Sequence, residues 1–341
     1  MRFNKLTVKN FGPLSNIELE MKDIMVFIGP QASGKSTLAK MLSILNGEVW
    51  ANQNQAQFFQ LFKDKHISFF VKDTLISLGE QTDNFIVYQK GQYQANDEIA
   101  TNHPNPAFIP FYIPAERILV SMLSESMMGM MAHKIAIPDF ILRFGSSFEV
   151  ARKKLDSLDI ESLNVIYRFE EGRDKVYLSH HQALPLSQSA SGLQAAIPLY
   201  VVLEYFSSFK ANFFAIEEPE LNLYPETQKQ VLEYIVEKCT HKNHRLVLTT
   251  HSPYILTALN NLIQAHNVVK EKPKLTEKVN RIVPAEKWLD FERVGVYYIE
   301  NGTARNIMDN ELNVIGATAI DDVSETLSTE YELLLNLEYE D

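Results

Sequence analysis

Cysteine is all but missing from this chain. With Cys239 alone, no intrachain disulfide is possible, and a reducing compartment is expected. The opening Met1-Arg2-Phe3-Asn4-Lys5 has no long apolar core of a secretory signal. No apolar run reaches the length that spans a bilayer, so a cytoplasmic chain without a membrane partner is expected. Positive charge is scarce too: 32 Lys and Arg stand against 43 Asp and Glu, a net charge of −11. Phosphate backbones are gripped by Lys and Arg, so DNA is compatible only through a local basic patch and is not the favoured partner. Internal repeats and low-complexity linkers are lacking. What is present, 45% apolar and 22% charged among 341 residues, suits one large soluble domain with a subdomain.

The patterning alternates strands and helices. Phe3 to Val8 alternates apolar and polar residues, as a half-buried strand does. Ile24-Met25-Val26-Phe27-Ile28 is continuously apolar, as a strand buried on both faces must be. A helix carrying Leu38, Ala39, Met41, Leu42, Ile44 and Leu45 follows, stopped by Gly47. Residues 48–105 are mixed, with a hairpin over Phe85 to Gln92. Phe108 to Ile113 reads as a strand closed by Pro114. Ile118 to Asp159 turns helical and rich in methionine (Met122, Met127, Met128, Met130, Met131), more readily core filling than a partner surface. Val165 to Leu178 reads as a second hairpin. A helix from Ser191 contains Pro198, a candidate kink. Strand Phe213 to Ile216, helix Glu226 to Glu237, strand Arg245 to Thr249, helix Tyr254 to Leu262 and a late strand Val296 to Ile299 complete the pattern. It implies an α/β fold with a largely parallel sheet flanked by helices.

Gly29-Pro30-Gln31-Ala32-Ser33-Gly34-Lys35-Ser36, followed by Thr37, matches G-x-x-x-x-G-K-[ST] without a gap. Glycines at these positions let backbone N–H groups turn inward around phosphates. The helix that starts there points its positive end at them. Lys35 supplies charge to the β- and γ-phosphates and the Ser36 hydroxyl is a ligand for Mg²⁺. The apolar strand before and the periodic helix after match the context this loop needs. ATP and Mg²⁺ are the implied cofactors.

Three further segments bear chemistry. Phe213-Phe214-Ala215-Ile216 runs into Glu217-Glu218-Pro219-Glu220, and paired carboxylates at an apolar strand end need a cation or a reacting water. Glu217 is expected at the metal and Glu218 at the attacking water. Leu186 to Gln194 sets Ser191 and Gly192 at a helix start, which alone reads as an N-cap and in company as an anion site. Leu246-Val247-Leu248-Thr249-Thr250-His251-Ser252-Pro253 is a buried strand ending at His251.

In this order the motifs resemble the ATP-binding-cassette ATPases, in the branch of SMC, RecF and OLD-like proteins. Gly29 to Ser36 corresponds to the Walker A loop and Ser189 to Gln194 to the signature. Phe213 to Glu218 corresponds to Walker B, Glu220 to Leu223 to the D-loop, and His251 to the switch histidine. Leu6 to Gly12 looks like the family's first strand and its turn toward the base. Glu217-Glu218-Pro219-Glu220-Leu221-Asn222-Leu223-Tyr224-Pro225 resembles a block of the OLD-like, AAA-type bacterial ATPases. Thr250 to Pro253 fits the same group, and Tyr112-Ile113-Pro114-Ala115-Glu116-Arg117 is similar to its Pro-x-x-Arg segment.

There are departures. Glu217 stands where Asp is commoner and Asn222 where His is frequent. The signature reads Ser-Ala-Ser-Gly-Leu-Gln. Glu116 or Arg117 occupies the expected place of the Q-loop glutamine.

The resemblance implies a P-loop NTPase of ABC-ATPase head type. Its core would span 1–117 and 186–305, with an inserted helical and hairpin lobe over 118–185. An acidic segment over 306–341 would pack on core or partner, its Asp321 to Asp341 stretch as a helix. The resemblance also implies a head-to-tail homodimer with each ATP between one P-loop and the other subunit's Ser191 and Gly192. Residues 37–188 leave no room for long heptad arms, and 252–341 carries no D-x-D block for a TOPRIM nuclease. The expected function is a dimeric ATPase acting as sensor or gate for a separate effector, in phage defence or a toxin–antitoxin-like system. The alternative is a RecF- or SMC-like repair head that binds DNA.

Overall fold

A computed structural model describes residues 4–47, 54–80, 83–95, 108–123, 136–179 and 182–316. Met127, Met128, Met130, Met131 and the Asp321 to Asp341 segment fall outside them.

The chain runs β1 (Lys5–Phe11), β2 (Leu14–Glu20), β3 (Ile24–Ile28), α1 (Lys35–Asn46), α2 (Gln55–Asp64), β4 (Leu75–Glu80), β5 (Asp83–Gln89), β6 (Gln92–Ala95) and β7 (Ile109–Ile113). It continues through α3 (Ile118–Leu123), α4 (Asp139–Arg152), β8 (Leu158–Ile160), β9 (Val165–Glu170), β10 (Arg173–Ser179), β11 (Gln182–Pro185), α5 (Ser191–Phe206), β12 (Asn212–Glu217), α6 (Pro225–Cys239), β13 (Arg245–Thr250), α7 (Pro253–Glu271), β14 (Val294–Glu300) and β15 (Thr303–Asn306).

Eleven strands form one mixed sheet in the order β6-β5-β4-β1-β2-β15-β14-β3-β13-β12-β7. Strands β14, β3, β13, β12 and β7 are parallel neighbours. Every residue of β3, β12 and β13 is buried, which is why their sequences are apolar without alternation. From β15 outward the pairing turns mainly antiparallel through β2, β1, β4, β5 and β6. Strands β8 to β11 form a separate four-stranded antiparallel sheet.

The register of the parallel strands builds the site. Ile28 at the end of β3 pairs with Thr250 of β13, and Thr249 pairs with Glu217 of β12. The three segments that follow therefore leave one sheet edge side by side, with His251 between the Gly29 loop and Glu218. Helix α1 buries Leu38, Ala39, Met41, Leu42, Ile44 and Leu45 against these strands and ends at Gly47, each large side chain contributing about 1.5–3 kcal/mol. Beside the antiparallel strands, α2 inserts Phe58 and Phe62 among Phe11, Phe70, Tyr88 and Tyr93, with Phe58 stacked on Tyr93 at 4.3 Å. Helix α5 keeps Pro198 buried inside it, and α6 buries Cys239, whose thiol pKa burial pushes well up.

Three expectations need correction. Met122 is exposed rather than core filling. The helix expected to end at Leu262 runs on to Glu271, because Ile263 and Ala265 extend its buried face beyond the strongest apolar run. Ser191 is the first residue of α5 and not its cap; Ala190 holds the cap position, with no side-chain bond.

Candidate functional site

The loop after β3 closes tightly. Gly29 adopts φ 150°, and a Cβ there would stand 2.1 Å from the Ile299 carbonyl oxygen of β14. Gly34, at φ 104°, caps α1, and no side chain caps that helix. Its first amides are thus left for a ligand, and the helix dipole favours an anion there. A cavity of about 350 Å³ opens over the loop, lined by Pro13, Gln31, Ala32, Ser33, Gly34, Lys35, Ser36 and Thr37, with Glu218 and His251 on its far side. Gly29 and Pro30 contribute their carbonyls below it.

A larger cleft of about 630 Å³ lies at the opposite strand ends, around Asp23, Arg245 and Arg293. Its cations are engaged by the protein: Arg293 binds Asp23 and the Thr240 carbonyl, and Arg245 the Asn46 amide oxygen. The smaller cavity is the one lined by the Gln31 to Thr37 loop, Glu218 and His251.

Lys35 is buried and folds back on its own loop. Its Nζ donates to the Gly29 carbonyl at 2.9 Å and the Pro30 carbonyl at 2.7 Å. Burial pulls its pKa down to about 8, while Glu218, Glu220 and Glu217 pull it back up. Those carbonyls are weak partners for an ammonium, and a triphosphate would compete for it.

Glu217 is only 3% exposed. Burial raises its carboxyl pKa; Tyr112, Lys40 and the Ser36 hydroxyl lie near enough to oppose that rise. Even so, its Oε1 has no hydrogen bond of good geometry, nor has the buried Tyr112 hydroxyl. An unpartnered buried carboxylate oxygen beside a serine hydroxyl is costly in water's absence and suited to a hard divalent cation. Among the described residues no group of three or more His, Cys, Asp or Glu could hold a metal. Mg²⁺ at this point would take its other ligands from phosphate and water, as Mg²⁺ usually does. The residues fit the ion.

Glu218 and His251 face each other across the cavity mouth, Oε1 to Nε2 3.3 Å, each 27% exposed. Glu218 holds a left-handed backbone, φ 42°, unusual for a residue with a side chain. Its N–H donates to the Thr249 carbonyl at 2.9 Å, so the turn points the carboxylate toward β13.

Two residues that the sequence placed in motifs but outside the catalytic set, Glu220 and Arg117, brace the site. Buried Glu220 accepts the Thr250 hydroxyl at 2.6 Å and the His251 N–H at 2.9 Å, clamping the segment that carries the histidine. Burial raises its pKa. Arg117 is wholly buried and donates to the carbonyls of Glu217 and Glu218, both at 2.8 Å. Neither Arg117 nor Glu116 lines the cavity. The sequence signals were a third acid after the pair and an Arg after a strand-closing Pro.

Ser191 and Gly192 do not line this cavity either. Gly192 packs against the D-loop of its own chain: a Cβ would lie 2.7 Å from the Asn222 carbonyl oxygen.

A family model described as AAA ATPase domain matches residues 1–111 and 147–256. No curated protein matches the chain. Among solved structures it is distantly similar to the SMC head domain from Thermotoga maritima, at 12% identity over 90% of this chain and 98% of that one, TM-score 0.43. It is similar at the same distance to an Smc head bound to the C-terminal winged-helix domain of ScpA, at 12% identity over 90% and 97%, TM-score 0.45. A third is an Smc head with an extended coiled coil, bound to the C-terminal domain of ScpA, derived from Pyrococcus furiosus, at 10% identity over 96% and 99%, TM-score 0.46.

Proposed function

The chain belongs to the AAA ATPase domain family, and on that premise we propose that it binds ATP with Mg²⁺ over the Gly29 to Thr37 loop and hydrolyses it. The observation that carries this reading is the Glu217 carboxylate oxygen, buried without a partner beside Ser36, with Glu218 and His251 opposite. Lys35 leaves the Gly29 and Pro30 carbonyls for the β- and γ-phosphates. Ser36 and Glu217 would hold Mg²⁺, which would supply positive charge against the phosphates. Glu218 orients a water and takes its proton. His251, released from Glu218, donates to the terminal phosphate.

The active unit in this proposal is a head-to-tail homodimer, with Ser191 and Gly192 of one subunit over the nucleotide of the other. It is supported by the absence of these residues from the lining of their own cavity and by the start of α5, which no side chain caps and which offers amides to an anion from outside. The core is 1–117 and 186–305 with the lobe at 118–185, a division supported by the separate sheet β8 to β11. As a biological role we propose a sensor or gate for a separate effector protein, of the phage-defence or toxin–antitoxin-like kind. Among the described residues no helix is long and apolar enough to cross a membrane.

Steady-state ATPase assays with Mg²⁺, on the native and Glu218→Gln proteins, test the chemistry. Hydrolysis that collapses in the variant supports it; equal slow rates in both overturn it. Salt-sensitive DNA binding would replace the effector role with that of a repair head.

A further inference from the structure

Arg117 lies within 112–146, the internal stretch that the family match leaves out. A buried guanidinium is normally met by a carboxylate. Here the hydrogen bonds it donates end on main-chain carbonyls: Pro114 at 3.2 Å, Ala195 at 2.8 Å, Glu217 and Glu218 at 2.8 Å, and Pro219 at 3.4 Å. One rigid planar group thus joins the N-terminal part of α5, at its fifth residue, to the backbone of the acidic turn.

A second bond, from Ser121 four residues on, reaches the neighbouring carbonyl of α5. Pro198 has no N–H, so it cannot donate to the Gln194 carbonyl four residues back. The Ser121 hydroxyl donates to it instead, at 2.7 Å. Arg117 and Ser121 thereby grip the consecutive carbonyls of Ala195 and Gln194. Pro198 is what leaves the second of these open to a donor from outside the helix.

The two bodies so joined are the two that matter to the proposed reaction. Helix α5 begins at Ser191 and Gly192, proposed to meet the partner's nucleotide. Residues 217–219 carry the metal and water carboxylates. Gln194 also ties its Nε2 to the Ser187 and Ser189 carbonyls, so the start of α5 moves with the loop before it.

We propose that Arg117 is a positioning residue, seconded by Ser121, that transmits engagement of Ser191 and Gly192 by a second copy of this chain to the carboxylate of Glu218. The link sets the height of the Glu218 turn over the cavity from the position of α5. It rests on the reading of Glu218 and of the dimer given above.

Arg117→Lys keeps the charge and loses the fork; Ser121→Ala removes one hydroxyl. Each is compared with the native protein for thermal stability, ATP affinity by calorimetry and steady-state turnover. The native protein's own turnover decides the ATPase reading, and the variants decide this one. The expected result is ATP affinity within about twofold of native and kcat lower by about tenfold in Arg117→Lys and about threefold in Ser121→Ala. A plain structural staple would lower melting temperature and leave kcat of the folded protein native. That result, or affinity and kcat failing in parallel, overturns the proposal. Should Arg117→Lys not fold, the Ser121→Ala turnover decides alone.

Discussion

Glu218 Oε1 and His251 Nε2 approach to 3.3 Å although their residues follow two different strands. The contact comes from register: Glu217 lies opposite Thr249, and each chain end turns toward the other. The two side chains satisfy one another. In the proposed reaction a terminal phosphate entering over Lys35 would separate them and free the carboxylate for water.

Replacing Glu218 with Gln keeps the side chain's size and one acceptor oxygen but removes the charge and the proposed base. Turnover should fall by about 100-fold or more, with ATP still bound. Light scattering with ATP should show a trapped dimer; a species that stays monomeric at saturating ATP would count against the sandwich.

Burial pulls the pKa of Lys35 down to about 8. A bound triphosphate raises that value, so binding takes up protons above it. ATP affinity should be full below pH 8 and decline as pH climbs past it. Calorimetry in buffers of different ionisation enthalpy should record net proton uptake at about pH 9. Lys35→Ala should abolish the uptake and weaken ATP about 100-fold, about 2.7 kcal/mol. Unchanged affinity would remove Lys35 from the phosphate site.

Burial raises the pKa of Glu217 in the folded chain. An acid with a raised folded pKa binds its proton better when folded. Its ionised form therefore subtracts stability, increasingly as pH rises from the unfolded value through the folded one. Glu217→Gln should melt a few degrees higher than native near pH 7 without metal, with the gain vanishing toward pH 4. The same variant should lose Mg²⁺-dependent turnover. A melting temperature lowered at neutral pH would mean that the carboxylate has a partner other than the metal.

At Gly29 an added methyl meets backbone, since its Cβ would sit 2.1 Å from the Ile299 carbonyl oxygen. Gly29→Ala should destabilise by about 3 kcal/mol, visible as a lower denaturation midpoint even without nucleotide. A loss confined to ATP binding would show that strand β14 yields.

The loop, the acidic turn and the histidine were legible because each pairs a local motif with a strand end that patterning marks. Buried strands β3, β12 and β13 were readable from unbroken apolar runs. What joins them was not. Gly29 is required by β14, whose strand begins hundreds of residues later, and nothing near Gly29 signals it. Helix α2 was hidden because Phe58 and Phe62 face an aromatic cluster assembled from β1, β5 and β6, whose partners are remote in sequence. Arg117 was singled out, but its role depends on carbonyls, which every residue has and no residue type announces.

At position 218 backbone and side chain make opposite demands. A φ of 42° is one that glycine adopts freely, while the proposed proton transfer requires a carboxylate. The chain keeps the carboxylate and accepts about 1–3 kcal/mol of strain. Loosening the neighbours that hold this turn would let it relax to an ordinary conformation, carrying the carboxylate out of line without altering a single atom of it.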